Sequence, residues 1–100
     1  MKYRFSSKAQ SDLINIWEFT LDNWSIDQAD RYYNLIIDKI KDICKKPDLG
    51  RRYSHVRKNY WGINVKSHII FYKINKEGEG TIEVIRILHQ RMDLLSRLKE

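Results

Sequence analysis

The hydrophobic period of this chain changes once, at Gly50, and that change limits most strongly what it can fold into. Before Gly50, apolar residues recur at Ala9, Leu13, Ile16, Trp17, Leu21 and Trp24. They continue at Ala29, Tyr32 or Tyr33, Ile36, Ile37, Ile40, Ile43 and Cys44. A stripe at i, i+3, i+4 and i+7 buries one face of an amphipathic helix, and two such helices are predicted. After Gly50 the runs are short and β-branched. Residues Tyr60 to Val65 alternate around Trp61, Ile63 and Val65, and Ser67 to Ile74 is almost continuously apolar. Thr81 to Leu88 repeats that character. Strands apolar on both faces sit at the centre of a sheet, covered from each side.

Punctuation residues set the boundaries. Ser6 and Ser7 are N-cap types, and Gln10 stands three residues after Ser7, as a capping box requires. Ser25 or Asp27 starts the second helix, Lys45 and Lys46 suit its negative end, and Pro47 stops it. About three residues separate the helices, which predicts an antiparallel hairpin. Lys2 to Phe5 reads as a first strand, Glu77-Gly78-Glu79-Gly80 as a turn, and Asp93 to Lys99 as a short last helix. The predicted order is β-α-α-β-β-β-α. It describes an α+β fold, with an N-terminal strand and a helical hairpin packed on a small antiparallel sheet. One hundred residues make one domain, 1–100.

Charge separates the halves again. Residues 1–50 carry eight basic and eight acidic side chains, whereas 51–100 carry eleven basic and five acidic, the whole net charge of +6. Between Asp48 and Glu77 there is no acid and there are seven Lys or Arg. Such a field favours an acidic or polyanionic partner. The apolar runs are far shorter than the ~20 residues of a membrane span. With no signal-like N-terminus either, a soluble cytoplasmic domain is expected. A lone Cys44 excludes an internal disulfide. His55, His68 and His89 lack metal-ligand spacing, and no glycine-rich phosphate loop occurs. No metal or cofactor is therefore expected.

Two stretches are candidates for function. In Arg86-Ile87-Leu88-His89-Gln90-Arg91-Met92-Asp93 a buried strand meets solvent. Arg86, among apolar neighbours, needs a carboxylate or anion partner. His89 can exchange a proton near neutral pH or hydrogen-bond the backbone, and Arg91 can pair with Asp93. Strict alternation separates Arg86 from His89 unless a bulge intervenes. The second stretch, Arg51 to Trp61, interleaves cations with aromatics. That mixture suits phosphate contacts and base stacking, although Tyr53, Tyr60 and Trp61 also suit sheet packing.

The ordered motifs resemble the ParE branch of the RelE/ParE superfamily of bacterial toxins over about residues 3 to 95. The resemblance rests on Tyr3, Ser6-Ser7-Lys8-Ala9, Asp12-Leu13, Ile16-Trp17 and Trp24 to Tyr32. Further along it rests on Pro47, Gly50-Arg51, Arg57, Tyr60, His68 to Tyr72 and Ile87 to Asp93. It implies the plasmid-stabilising toxin of a type II toxin–antitoxin module, one that catalyses nothing itself. Such a toxin inhibits DNA gyrase, traps its cleaved DNA complex, and is neutralised by a ParD-like antitoxin. The antitoxin supplies an acidic tail and brings the pair to DNA indirectly. On this reading Arg57, Arg86, His89, Arg91 and Arg97 are expected to meet the target. Trp61, Arg51, Arg52, Lys66 and Lys73 are expected to meet the antitoxin, and exposed Trp24 or Tyr33 would serve as anchors. The competing resemblance is to RelE, a ribosome-dependent, metal-independent mRNA endonuclease. There His89 would be the acid/base, with Arg86 and Arg57 as cations, but the late catalytic tyrosine is absent after Tyr72.

Overall fold

A computed structural model describes residues 1–92 and 94–98. Strand β1 (Lys2–Phe5) leads into helices α1 (Ser7–Asn23) and α2 (Ile26–Lys45). A 3-10 turn at Pro47–Leu49 follows. The chain then forms β2 (Arg51–Arg52), β3 (Trp61–Val65), β4 (His68–Asn75), β5 (Thr81–His89) and α3 (Leu94–Leu98). Among the described residues these strands form one sheet in the order β1-β5-β4-β3-β2. The expected α+β architecture is present. Two features depart from the expectation. β1 joins β5 in parallel, so the sheet is mixed, and the two-residue β2 extends its far edge. The parallel pairing arises because the chain crosses one face of the sheet as the helical hairpin before it returns. Of the last helix, Asp93 and Lys99 lie outside the described residues.

Local chemistry explains each boundary. Ser6 is extended, and its hydroxyl accepts from the Ala9 amide at 3.0 Å and donates to the Ile85 carbonyl at 2.7 Å. The N-cap is thus one residue earlier than a Ser7–Gln10 box requires, and Ser6 ties the helix start to β5 as well. Ser25 caps α2 through the Gln28 amide, leaving Trp24 and Ser25 between the helices. Trp17 Nε1 donates to Asp30 Oδ1 at 3.0 Å and links the two helices side to side.

The main core lies between hairpin and sheet. Ala9, Leu13, Ile36, Ile40 and Ile43 meet Val65, Ile70, Tyr72, Ile82, Val84 and Ile87. Burying each Ile contributes about 1.5–3 kcal/mol. Tyr72 is fully buried, which pushes its phenol pKa up, and its hydroxyl donates to Pro47 O (2.7 Å) and accepts from Gly50 N (3.1 Å). A Cβ on Gly50 would lie 2.7 Å from that hydroxyl, so the chain reverses here only with glycine. On the opposite face Tyr53, Tyr60, Ile69, Phe71, Leu88 and Leu98 form a second cluster.

In the β4–β5 ladder the register shifts between Phe71, opposite Arg86, and Tyr72, opposite Val84, leaving Ile85 unpaired. This bulge resets alternation, so Ile82, Val84 and Ile87 all point into the main core. It also turns Arg86 toward the open edge of β5, beyond the end of β1.

Candidate functional site

Asp12, on α1, closes that open edge. Its Oδ2 accepts from Arg86 Nε (2.8 Å) and from the Ile87 amide (2.9 Å), and its Oδ1 accepts from Arg86 Nη2 (3.1 Å). Arg86 Nη1 donates to the Arg97 carbonyl at 3.3 Å. The carboxylate partner that Arg86 requires is therefore Asp12. The pair clamps α1 to β5 and supplies a missing ladder partner, since a bidentate guanidinium–carboxylate contact fixes orientation as well as charge.

Beside this clamp a groove of about 1080 Å³ opens between the helical hairpin and the ends of β4 and β5. Ile16, Tyr32, Ile87 and Leu88 line it together with His68 and His89, and Lys66, Arg86 and Arg97 bring positive charge. Phe19, Trp24 and Met92 supply its open apolar wall, at 65%, 74% and 43% exposure. Trp24 does not turn inward as its place on the helical stripe suggested. It ends α1, where no second layer covers it. Tyr33 is likewise exposed at 40%, while Tyr32 takes the inward position. Lys66 has a φ of 53° in the two-residue turn between β3 and β4. A left-handed lysine carries strain of about 1–2 kcal/mol, and it holds its charge at the groove's rim.

At the groove's inner end, Tyr32 Oη lies 2.6 Å from His68 Nδ1 and 3.1 Å from the Val65 carbonyl, to which it donates. The His68 ring meets His89 edge-on, with centroids 5.3 Å apart. Burial, reinforced by the neighbouring His89, lowers the His68 pKa from 6.5 to about 4. Burial also raises the phenol pKa of Tyr32. Both groups are therefore neutral at pH 7. His89 Nδ1 accepts the Arg91 amide at 3.1 Å, so in the neutral ring that nitrogen is occupied and Nε2 carries the proton.

The expected contact residues are divided among three places. Arg86, His89, Arg97 and Lys66 share the groove, with Arg91 exposed just beyond β5. Arg52 lies over the Trp61 ring, 5.3 Å from its centroid, and Trp61 stacks on Tyr72 at the hairpin side of the sheet edge. Arg51, Arg57 and Lys73 sit over the Tyr53 and Tyr60 rings of the second cluster. The bulge lets Arg86 and His89 line one groove. Sequence reasoning missed Asp12, His68 and Phe19. Phe19 carried a usable signal, because a large apolar residue off the helical stripe has no core to enter. Among the described residues, no three His, Cys, Asp or Glu gather as a metal site, and no helix is long and apolar enough to cross a membrane.

Comparison with known proteins agrees with this geometry. The family model described as the ParE toxin of the type II toxin–antitoxin system parDE matches residues 3–94. The chain belongs to the ParE toxin family. It is 40% identical over 93 residues to Toxin ParE1 of Mycobacterium tuberculosis, covering 93% of each chain. It is 31% identical over 96 residues to Toxin ParE1 of Caulobacter vibrioides, covering 96% of each. A solved structure of the chromosomal ParDE TA system from P. aeruginosa shares its fold. The TM-score is 0.74 at 15% identity, over 89% of this chain and 95% of that one.

Proposed function

We propose that this ParE toxin is held inactive by a ParD-like antitoxin whose acidic, amphipathic segment lies in the groove, and that the released toxin inhibits DNA gyrase. The observation that carries this reading is the groove itself, an apolar wall of Phe19, Trp24 and Met92 with a cationic rim. Exposed aromatics beside charge are the usual anchors of a protein interface. Arg86, His89 and Arg97 line the same groove, so an occupant of the apolar wall also covers them. Neutralisation then follows from occlusion of Arg86, His89 and Arg97, with Arg91 at the groove's end, while Arg57 on the other face stays uncovered. Arg86 contributes chiefly by positioning the β5 edge, since its guanidinium is held on Asp12.

The gyrase reading is preferred to RNA cleavage because a general base needs a free lone pair. In neutral His89 the lone-pair nitrogen already accepts the Arg91 amide, which weighs against its use as a base.

Two assays test the proposal. Replacing Phe19 and Trp24 together by Ser should weaken antitoxin binding by at least about 100-fold in calorimetry, with an unchanged circular dichroism spectrum. Unchanged affinity would place the antitoxin elsewhere. Added to purified gyrase, the toxin should stop supercoiling and leave linear plasmid after protease treatment, and antitoxin should prevent both. Normal supercoiling, with messages cut only on ribosomes and the cutting lost in His89→Gln, would assign it to the nuclease branch.

A further inference from the structure

The sheet face turned away from the helical hairpin carries a row of side chains that the groove does not use. Tyr3 and Phe5 pack into the main core, so Arg4 of β1 faces the other way. Arg4 is in register with Glu83 and Glu83 with Lys73, and Lys73 reaches over the ring of Tyr60, the residue before β3. The Tyr53 amide then donates to the Tyr60 carbonyl at 2.8 Å. Arg4, Glu83, Lys73, Tyr60 and Tyr53 thus cross the sheet from edge to edge, about 19 Å at ~4.8 Å per strand.

The row is cationic by construction. Its one acid, Glu83, is ion-paired with Arg4. Lys73 Nζ and the Arg57 guanidinium lie 5.5 and 5.9 Å from the Tyr60 ring centroid, and the Arg51 guanidinium lies 5.9 Å from that of Tyr53. Among the described residues none of these three has an acidic partner. The rings position the cations while exposing little of themselves, since Tyr53 and Tyr60 are only 9% and 6% exposed.

We infer that this face binds the phosphate backbone of double-stranded DNA directly, without sequence preference. Charge complementarity selects a polyanion, because Arg51, Arg57 and Lys73 gather here on a segment, residues 49 to 76, that holds no acid. Ring burial selects the duplex over the single strand. Single-strand binders offer exposed aromatic faces on which bases stack, and here cations and neighbouring side chains cover those faces. A 19 Å length of duplex carries about eleven phosphates, enough to engage all three cations together. The face lies on the opposite side of the sheet from the hairpin core, so this inference stands whether or not the groove holds the antitoxin.

The test is fluorescence anisotropy of free toxin with a labelled 20-base-pair duplex and with the same sequence as a single strand, each over a range of salt. Wild type should bind the duplex more tightly than the single strand. The triple variant Arg51→Gln, Arg57→Gln, Lys73→Gln should lose at least about tenfold in affinity, and the slope of log Kd against log salt should fall by roughly two to three. A charge-matched variant on the helices, Lys8→Gln, Lys41→Gln, Lys45→Gln, should bind as wild type. Circular dichroism and a thermal melt confirm that both variants fold. An absent duplex complex, equal losses in the two variants, or tighter single-strand binding would each overturn the inference. So would a triple variant that keeps its duplex affinity and loses antitoxin instead.

Discussion

The two faces of the sheet are covered in different ways. On the hairpin side, branched aliphatic side chains from α1 and α2 interlock with those of β3, β4 and β5, and two full helices exclude water. On the other side the cover is a loop and α3, and the buried groups are largely aromatic: Tyr53, Tyr60 and Phe71, beside Ile69, Leu88 and Leu98. A thin cover works with rings because each one buries a large area in a single plane. Phe71 meets Tyr53 edge-on with centroids 5.1 Å apart, and the tyrosine rings still attract Arg51, Arg57 and Lys73. The thick layer supplies stability and frames a groove at its end, whereas the thin one presents charge.

The sharpest way to break this comparison is to truncate the thick layer. Ile40→Ala removes a fully buried side chain facing the sheet and should cost about 2–5 kcal/mol, read as a lower urea midpoint. A loss below 1 kcal/mol would mean that the hairpin contributes far less than its burial suggests.

Overpacking tests the thin layer. A Cβ at Gly62 would sit 2.6 and 2.8 Å from ring carbons of Tyr53, on the far face. Gly62→Ala should displace that ring and cost about 1–3 kcal/mol, with altered tyrosine fluorescence. A neutral effect would show that the loop carrying Tyr53 adjusts freely.

A smaller effect comes from pH and belongs to the hairpin side alone. His68 titrates at 6.5 when unfolded and near 4 when folded, so the unfolded chain binds the proton first. Stability is then unaffected above pH 6.5 and falls as pH drops toward 4, by roughly 2 kcal/mol once solvent access to the ring is allowed for. In His68→Gln that part of the slope should vanish. Identical pH profiles for the two proteins would remove His68 as its source.

The fold was largely legible because its two periods are unambiguous. Helical stripes and β-branched runs each admit one packing, and the need of Arg86 for a carboxylate was plain from its apolar neighbours. What periodicity could not show was where a pattern stops being a core. Trp24 continues the stripe of α1 but lies past the last residue that the sheet can cover, so a position marked inward became the groove's outer wall. The parallel β1–β5 pairing was equally hidden, because strand patterns carry no direction. Asp12 entered only within the Asp12-Leu13 motif of the resemblance, and only the bulge at Ile85, between pairings that span 12 and 15 residues, brings Arg86 to it. Site residues depend on such long-range geometry. That is why those assigned from the resemblance were divided between the groove, the sheet edge and the far face.

The β1–β5 ladder also has a consequence for synthesis. Lys2 pairs with Thr81, so the first strand made must wait for the last. The hairpin is complete at Lys45, 44 residues before β5 ends at His89. At 5–20 residues per second the apolar face of that hairpin is made about 2–9 s before β5 is complete. Until β5 leaves the ribosome, the groove has no floor and Asp12 has no arginine to hold. Clamp and groove therefore take shape together, and only once β5 has been made.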